Sequence, residues 1–434
     1  MMRSFVSVGP LLVSVALLIA GCGVLNMLLP LRAEHEGFGS MAIGLLGSAQ
    51  SLGFIGGCLW GGRIIARVGH IRAFAALVGL VSCLFLAHAI VVDPAVWWAR
   101  RALGGACFAT IFMVIESWLN ARADNRTRGA VFCAYAVTSH LAGSIGHVFV
   151  AAGEPDRFVL FSIGSILVSL AALPVALSRC EAPQPSPAAR VRLLKLWRAS
   201  PVGVVGCAIA GMSAGAFWSL GPSYVLGVIG DASLTPLLMT APVLAAALVQ
   251  WPIGFLSDRM DRRLVIAATA ASAALVCVAL ALGSVADAGD LVVALAVLGA
   301  AFIPIGALSA ANANDFAPAD AVVETAAGLL LIASAGAVAG PVVASWAISA
   351  MGPGGLFATL GSSFGLLALF ALVRSFVREA APAAERGRFA DAVVAFETVS
   401  AVEPASAPNA DVSSTPAAAA RISRLIPGAA IAAA

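Results

Sequence analysis

Apolar residues run along this chain in long, nearly unbroken stretches, and each stretch ends in a short cluster of glycine, proline or charged positions. Twelve such stretches lie near 10–31, 41–62, 73–92, 95–119, 129–151, 158–178, 201–228, 234–256, 264–285, 291–313, 323–348 and 355–375. Each has roughly 18–25 residues, the length an α-helix needs to cross a hydrocarbon layer ~30 Å thick. In lipid only helices and closed barrels satisfy every backbone N–H and C=O, and segments this long and continuous are not barrel strands. The pattern therefore predicts an all-α membrane protein with twelve transmembrane helices. Beyond about Arg378 it breaks down. Residues 379–434, rich in Ala, Pro and Ser, read as a disordered cytoplasmic tail with one short amphipathic helix near Phe389–Val399.

Composition agrees. The 434 residues are 61% hydrophobic and 11% charged, with a single lysine, Lys195, and a mean hydropathy of +0.99. A soluble domain carries about 25% charged residues, so a water-surrounded fold of this size would run short of polar surface. A net charge of +3 with no basic, aromatic-interleaved stripe argues against nucleic acid. The eight cysteines form no C-x-x-C pair and no zinc spacing, so buried free thiols are expected, with no metal and no cofactor. Leu18-Ile-Ala-Gly-Cys22 has the look of a lipoprotein signal, but the apolar run continues to Leu31, and a first spanning helix is preferred.

The few charges give the orientation. Connections after even-numbered spans carry Arg63, Arg67, Arg72, Arg122, Arg126, Arg128, Arg179, Arg190, Arg192, Lys195, Arg198, Arg259, Arg262 and Arg263. The opposite connections carry Arg32 and Arg157 among eight acids. Basic residues mark the cytoplasmic side, which places both termini there. The same positions expose a repeat: Gly62 and Arg67 return as Gly254 and Arg259, and Ser117 and Asn120 as Ser309 and Asn312, each 192 residues later. Gly146-His147 and Gly340-Pro341 follow at 194. Two six-helix bundles, 1–178 and 201–378, joined by a cytoplasmic linker at 179–200, thus form a parallel, pseudo-twofold repeat, as in carriers that rock two bundles about a central site.

Several strings resemble the major facilitator superfamily across residues 1–378. Gly254-Phe-Leu-Ser-Asp258-Arg259-Met-Asp-Arg262-Arg263 matches its cytoplasmic signature, with Asp261 where glycine is usual; the first copy keeps Arg67, Gly69 and Arg72 but has Ala66 for the aspartate. Trp98-Ala-Arg-Arg101-Ala-Leu-Gly-Gly105 is similar to its helix-four motif. Val68-Gly-His-Ile-Arg-Ala-Phe74, Glu116-Ser-Trp-Leu-Asn120 and Asn125-Arg-Thr-Arg-Gly129 resemble the YcaD-like branch. The resemblance implies a bacterial inner-membrane carrier in which helices one, four, seven and ten line the cavity.

Charge inside a membrane helix costs at least ~2.5–3.5 kcal/mol, so such residues usually face a cavity or a partner. Arg101, His140 and His147 fall on helices four and five as a candidate polar track for an anionic substrate or for protons, because histidine titrates near neutrality. Against this stands a snorkelling arginine beside Arg100, with histidines that bond backbone. Asn26, Trp218 and Asn312 are further candidate contacts, while Gln50, Gln250 and Tyr224 fit interhelical or interfacial roles better. At the cytoplasmic end Arg67, Arg72, Glu116, Asp258, Arg259, Arg262, Asp320 and Glu324 form a candidate gate. Glu116 is expected to latch onto Arg67, Arg72 or Arg128. The acidic segment 314–324 is expected to dock on the first-half arginines when that side closes. Small-residue stripes at Gly53, Gly57 and Gly61 and at Gly336 and Gly340 allow close helix approach; they are expected to meet across the pseudo-twofold and slide.

Enzyme motifs fail on context. Gly211-Met-Ser213-Ala-Gly215 and Gly361-Ser-Ser363-Phe-Gly365 lie inside spans, where no nucleophile elbow forms, and no phosphate-binding loop with a lysine exists. The expectation is a monomeric secondary transporter of a small molecule, with the lipid bilayer as its surroundings and protons as a candidate coupling ion. A drug/proton antiporter that exports amphipathic compounds is the alternative, and a non-transporting receptor or sensor the alternative from another class.

Overall fold

The computed structural model describes residues 2–122, 128–177, 192–283, 287–318, 321–379, 386–387 and 389. The first half contains α1 (Met2–His35), α2 (Ser40–Val68), α3 (His70–Ile90), α4 (Pro94–Arg122), α5 (Arg128–Ala151), and α6 (Phe158–Leu170) continued by α7 (Ala172–Leu177). A short α8 (Leu193–Ala199) leads into α9 (Pro201–Ile229), and α10 (Thr235–Leu238) into α11 (Ala241–Arg259). The rest is α12 (Arg262–Ala281), α13 (Ala288–Asn314), α14 (Val322–Met351) and α15 (Gly355–Val377). Among the described residues eleven helices are long and apolar enough to cross a membrane. The twelfth expected span forms as the 24-residue α5 but is not one of the eleven. Its Ser139, His140, Ser144 and His147 dilute the apolar run.

Local chemistry sets the helix ends. Asp93 Oδ1 accepts from Val96 N at 2.9 Å at the start of α4. Ser200 Oγ accepts from Gly203 N ahead of Pro201, a residue that suits a first helical turn. Asp261 caps α12 and Asp287 caps α13 in the same way. The turn between α2 and α3 is made by Gly69 at φ 85°, a conformation that side chains with a Cβ rarely adopt. Large apolar side chains point outward all round: Leu248, Trp251, Leu366 and Phe376 are each at least two-thirds exposed. A continuous apolar exterior of this kind suits lipid rather than water.

The helix pairs repeat. In the first half α1 packs on α5 and α6, α2 on α4, and α3 on α4 and α6; in the second, α9 packs on α14 and α15, α11 on α13, and α12 on α13 and α15. Every contact in one set has its counterpart in the other.

Between the halves α2 packs on α14 and α9, α1 on α9, and α5 on α10. The α2–α14 seam lies toward the start of α2. Ser48 Oγ donates to Val338 O at 2.7 Å, Ser345 Oγ donates to Ser40 O at 3.0 Å, and Gly44 lies against Ser345 and Pro341. This end of the seam is closed.

The glycine stripes do not behave as expected. A Cβ at Gly53 or Gly57 would strike the α4 backbone at Ala102 or Ala106, and Gly61 faces Thr110 of α4. Gly336 and Gly340 press on Ala208 and Met212 of α9. Both stripes therefore bring helices of the same half together, and the contact between halves uses Gly44, Gly47 and Ser48 instead. Sequence spacing shows that a face is small; it does not say which neighbour takes it.

Candidate functional site

At the seam lies a cavity of about 480 Å3. Five of the six pathway residues named from the sequence line it: Asn26 of α1, Arg101 of α4, His140 and His147 of α5, and Trp218 of α9. Arg101 Nη1 donates to Asn26 Oδ1 at 3.0 Å, while its Nε is buried with no acceptor. Its neighbour Arg100 turns the other way and donates to the carbonyls of Ala87 and Val91 at the end of α3, at 2.6 and 3.1 Å. Consecutive helical residues point about 100° apart, which lets one arginine anchor at the rim and the next face inward. His147 is 8% exposed, its Nδ1 has no partner, and its ring centroid lies 6.5 Å from that of Trp218. Gln50, expected only to link helices, also lines the cavity, and its Oε1 is likewise buried without a donor. No aspartate or glutamate is among the described residues of the lining.

A second cavity, of about 450 Å3, adjoins the first; His140, Ala214, Trp218, Val243 and Ala337 border both. It holds no arginine. Ala246, Ala247, Phe302, Ile303 and Leu330 give it apolar walls, with His140, Gln250 and Ser334 as its polar edge. Together the chambers run from Arg101 and Asn26 of the first half to Phe302, Ile303 and Leu330 of the second.

Asn312 belongs to neither chamber. Its Nδ2 donates to Ser200 Oγ at 2.9 Å, tying the end of α13 to the start of α9, and it is 3% exposed. The expectation of a cavity contact is corrected by depth: position 312 lies two residues from the end of α13. Tyr224 is buried too, with its hydroxyl donating to Leu280 O at 3.1 Å, so it ties α9 to α12.

Residues 157–333 and 203–432 match the sequence profile described as Major Facilitator Superfamily. The chain belongs to the major facilitator superfamily. An "Uncharacterized MFS-type transporter" of Enterobacter sp. (strain 638) is 30% identical over 341 residues, covering 76% of this chain and 86% of the relative. The "Uncharacterized MFS-type transporter YcaD" of Escherichia fergusonii is 30% identical over 261 residues, 59% of this chain and 68% of the relative. The crystal structure of the nucleoside transporter NupG superposes with a TM-score of 0.69 at 15% identity, over 85% of this chain and 97% of that one. A bacterial homologue of the lysosomal transporter Spinster, inward-facing and occupied, superposes with a TM-score of 0.67 at 14% identity, over 89% of this chain and 98% of that one. At such identities the likeness shows the fold. This chain is an MFS-type transporter, an integral multi-pass membrane protein and not an enzyme.

The superfamily's signature turn, between α11 and α12, is the most densely bonded polar region described. Arg262 is 2% exposed; it donates to Asp315 Oδ2 at 2.7 Å, Ser257 Oγ at 3.1 Å and Asp258 Oδ1 at 3.1 Å. Arg263 pairs with Asp261 at 2.6 Å and donates to the carbonyls of Arg374 and Arg378. Arg259 stacks over the Phe255 ring at 3.7 Å. Burial pushes the Asp315 carboxyl above its ordinary value, and Arg262 and Gly387 N–H only partly offset it. For Asp261, burial acts in the same direction but the donors of Arg263 outweigh it, and its pKa is lowered. These contacts explain the aspartate at 261: it caps α12 and holds Arg263.

Three tail residues dock here, the first being Arg386, whose Nη1 donates to Met260 O at 2.8 Å. Gly387 N donates to Asp315 Oδ1 at 3.2 Å and its carbonyl accepts from Arg262, Phe389 N donates to Asp258 Oδ1 at 2.9 Å, and the buried Phe389 ring packs against Gly254. Gly387 and Phe389 of the expected disordered tail thus sit on the signature turn, while the rest of 380–434 but for Arg386, including the expected helix near 389–399 beyond Phe389, lies outside the described residues. Nothing in the composition near 380–390 signalled it; the apolar Phe389 and the missing side chain at Gly254 were the available hints.

Of the contacts expected at the cytoplasmic end, those of Arg67 and Arg72 are not formed with any described acid, while the Arg128 side chain, the third expected partner of Glu116, lies outside the described residues. Arg67 and Arg72 make no ion pair with Glu116 or Glu324; Glu324 lies 3.8 Å from Arg192, and Asp315 pairs with Arg262 of its own half. Glu116 is fully buried and accepts from Tyr135 Oη at 3.3 Å. Asp320 lies outside the described residues.

Proposed function

We propose that this chain is a secondary carrier that moves a small molecule by exposing the seam cavity alternately to the two sides of a bacterial inner membrane. The observation that supports this most directly is a central chamber walled by both repeat halves and closed at the Ser40–Ser48 end of α2. With the arginine-bearing face cytoplasmic, the closed end is periplasmic and the conformation faces inward. The unformed latch of Arg67 and Arg72 fits that state, since it is the contact expected when the cytoplasmic side closes. Arg101, Asn26, His140, His147 and Trp218 then form the substrate region, and His140 and His147 are the candidate proton carriers. Export of amphipathic compounds is the second reading, favoured by the apolar second chamber.

Proteoliposomes holding the full chain provide the test: uptake and efflux of a metabolite and drug panel, with and without an imposed proton gradient. Solute movement that depends on protein, and a substrate-driven change in lumenal pH, are expected. Reporters fused at residue 190 and after residue 400 should both face the cytoplasm; reporters on opposite faces defeat the two-bundle reading.

A further inference from the structure

One chamber holds an arginine and the other does not, and the difference specifies a ligand. Arg101 is the one arginine or lysine in either lining, and no described acid accompanies it. Its described side-chain partner is Asn26, a neutral acceptor, which leaves Nε without an acceptor. A guanidinium stays charged in proteins, and charges within a membrane span are ordinarily paired. The counter-charge is therefore missing from the protein side of this chamber. Asn26 itself is exposed to the cavity, so an incoming acceptor can reach both groups.

Size and polarity settle the rest of the molecule. A bare inorganic anion would leave the adjoining chamber of about 450 Å3 empty. That chamber offers Phe302, Ile303, Leu330 and six alanines, which reward an apolar body by its removal from water. Trp218 stands at the junction and lines both spaces. Building on the carrier reading above, we propose that the ligand is an amphipathic organic monoanion. Its acid head pairs with Arg101 between α1 and α4, and its aromatic or aliphatic body passes Trp218 into the second-half chamber. A cation with the same body meets the uncompensated guanidinium and is excluded. A small acid without the body gains only the head contact.

Matched probes decide the matter: phenylbutyrate, phenylbutylamine, phenylbutanol and acetate, bound to the purified full chain in nanodiscs and followed by equilibrium dialysis. Phenylbutyrate should bind at least about tenfold more tightly than each of the others. Arg101→Gln should remove that preference for the anion and leave phenylbutanol within about twofold. Ala247→Phe, which fills the apolar chamber away from Arg101, should weaken phenylbutyrate and phenylbutanol by a similar factor; it stands as the second variant should Arg101→Gln fail to fold. Equal or tighter binding of the amine or the alcohol, no binding by any probe, or unchanged phenylbutyrate binding in both variants overturns the proposal. Transport separates it from the carrier reading. A chain that binds phenylbutyrate but carries no solute across proteoliposomes defeats the carrier and leaves the ligand class standing. A chain that carries other solutes while ignoring phenylbutyrate defeats the ligand class alone.

Discussion

Gly57 shows how much a single position can decide. Hydrogen in place of a side chain lets α2 lie directly on the Ala106 backbone and the Ala109 methyl of α4. Membrane helices gain little from hydrophobic burial against one another, so this close packing is what joins them. Gly57→Leu is therefore expected to lower thermal stability in detergent by at least about 1–3 kcal/mol through overpacking. A variant that unfolds normally but transports poorly would return the stripe to a sliding role. Residue-level chemistry was legible where the physics is severe. An arginine inside an apolar span has few places to go, and Arg101 lies in the cavity beside Asn26 as its cost predicted. Asn312 was misassigned because a polar group near a helix end can bond a neighbouring cap, here Ser200, at no cost to the bilayer. Gln50 and Gln250 were undervalued for the converse reason: glutamine is cheap enough to bury that its presence alone signals nothing.

At the scale of elements, length and hydropathy gave most spans to within a few residues, because the thickness of a membrane fixes both; α1 begins eight residues before its expected span and α2 ends six after. The 192-residue offset gave the order of the repeat, and the matched helix pairs bear it out. The tail was opaque. A stretch of Ala, Pro and Arg has no periodicity to read, and its seat depends on a hole at Gly254 that only the folded bundle creates. A methyl at that position would strike the Phe389 ring, so Gly254→Ala should lift the tail from the signature turn. Limited trypsin digestion in detergent checks this: cleavage after Arg386 should quicken several-fold in Gly254→Ala and in Phe389→Ala relative to the unaltered chain. Equal rates in all three would mean the seat holds the tail too weakly to protect it.

For the whole molecule the seam matters most. Its closed end depends on two hydroxyl–carbonyl bonds, from Ser48 and Ser345, and on glycines that let α2 and α14 touch. Bonds of this kind add about 0.5–1.5 kcal/mol each, enough to hold a state and small enough to release it. Ser40→Cys with Ser345→Cys, on a background free of native thiols, should form a disulfide that stops solute movement, with recovery after reduction. Continued movement across the oxidised pair would show that this end need not part. The sequence could not give the state, because inward and outward forms share every helix and differ in which weak contacts are made.

The lone guanidinium has one more effect. Arg101 is fixed to the first bundle, and nothing described in its chamber neutralises it. On the proposed alternating-access reading, that positive charge shifts part of the way through the electric field when the unloaded bundles swing, worth ~2.3 kcal/mol for a full traverse at 100 mV. On that reading a negative interior would draw the empty protein toward its inward posture and slow its return, whereas one holding the proposed anion, its charge cancelled, would turn with little regard to voltage.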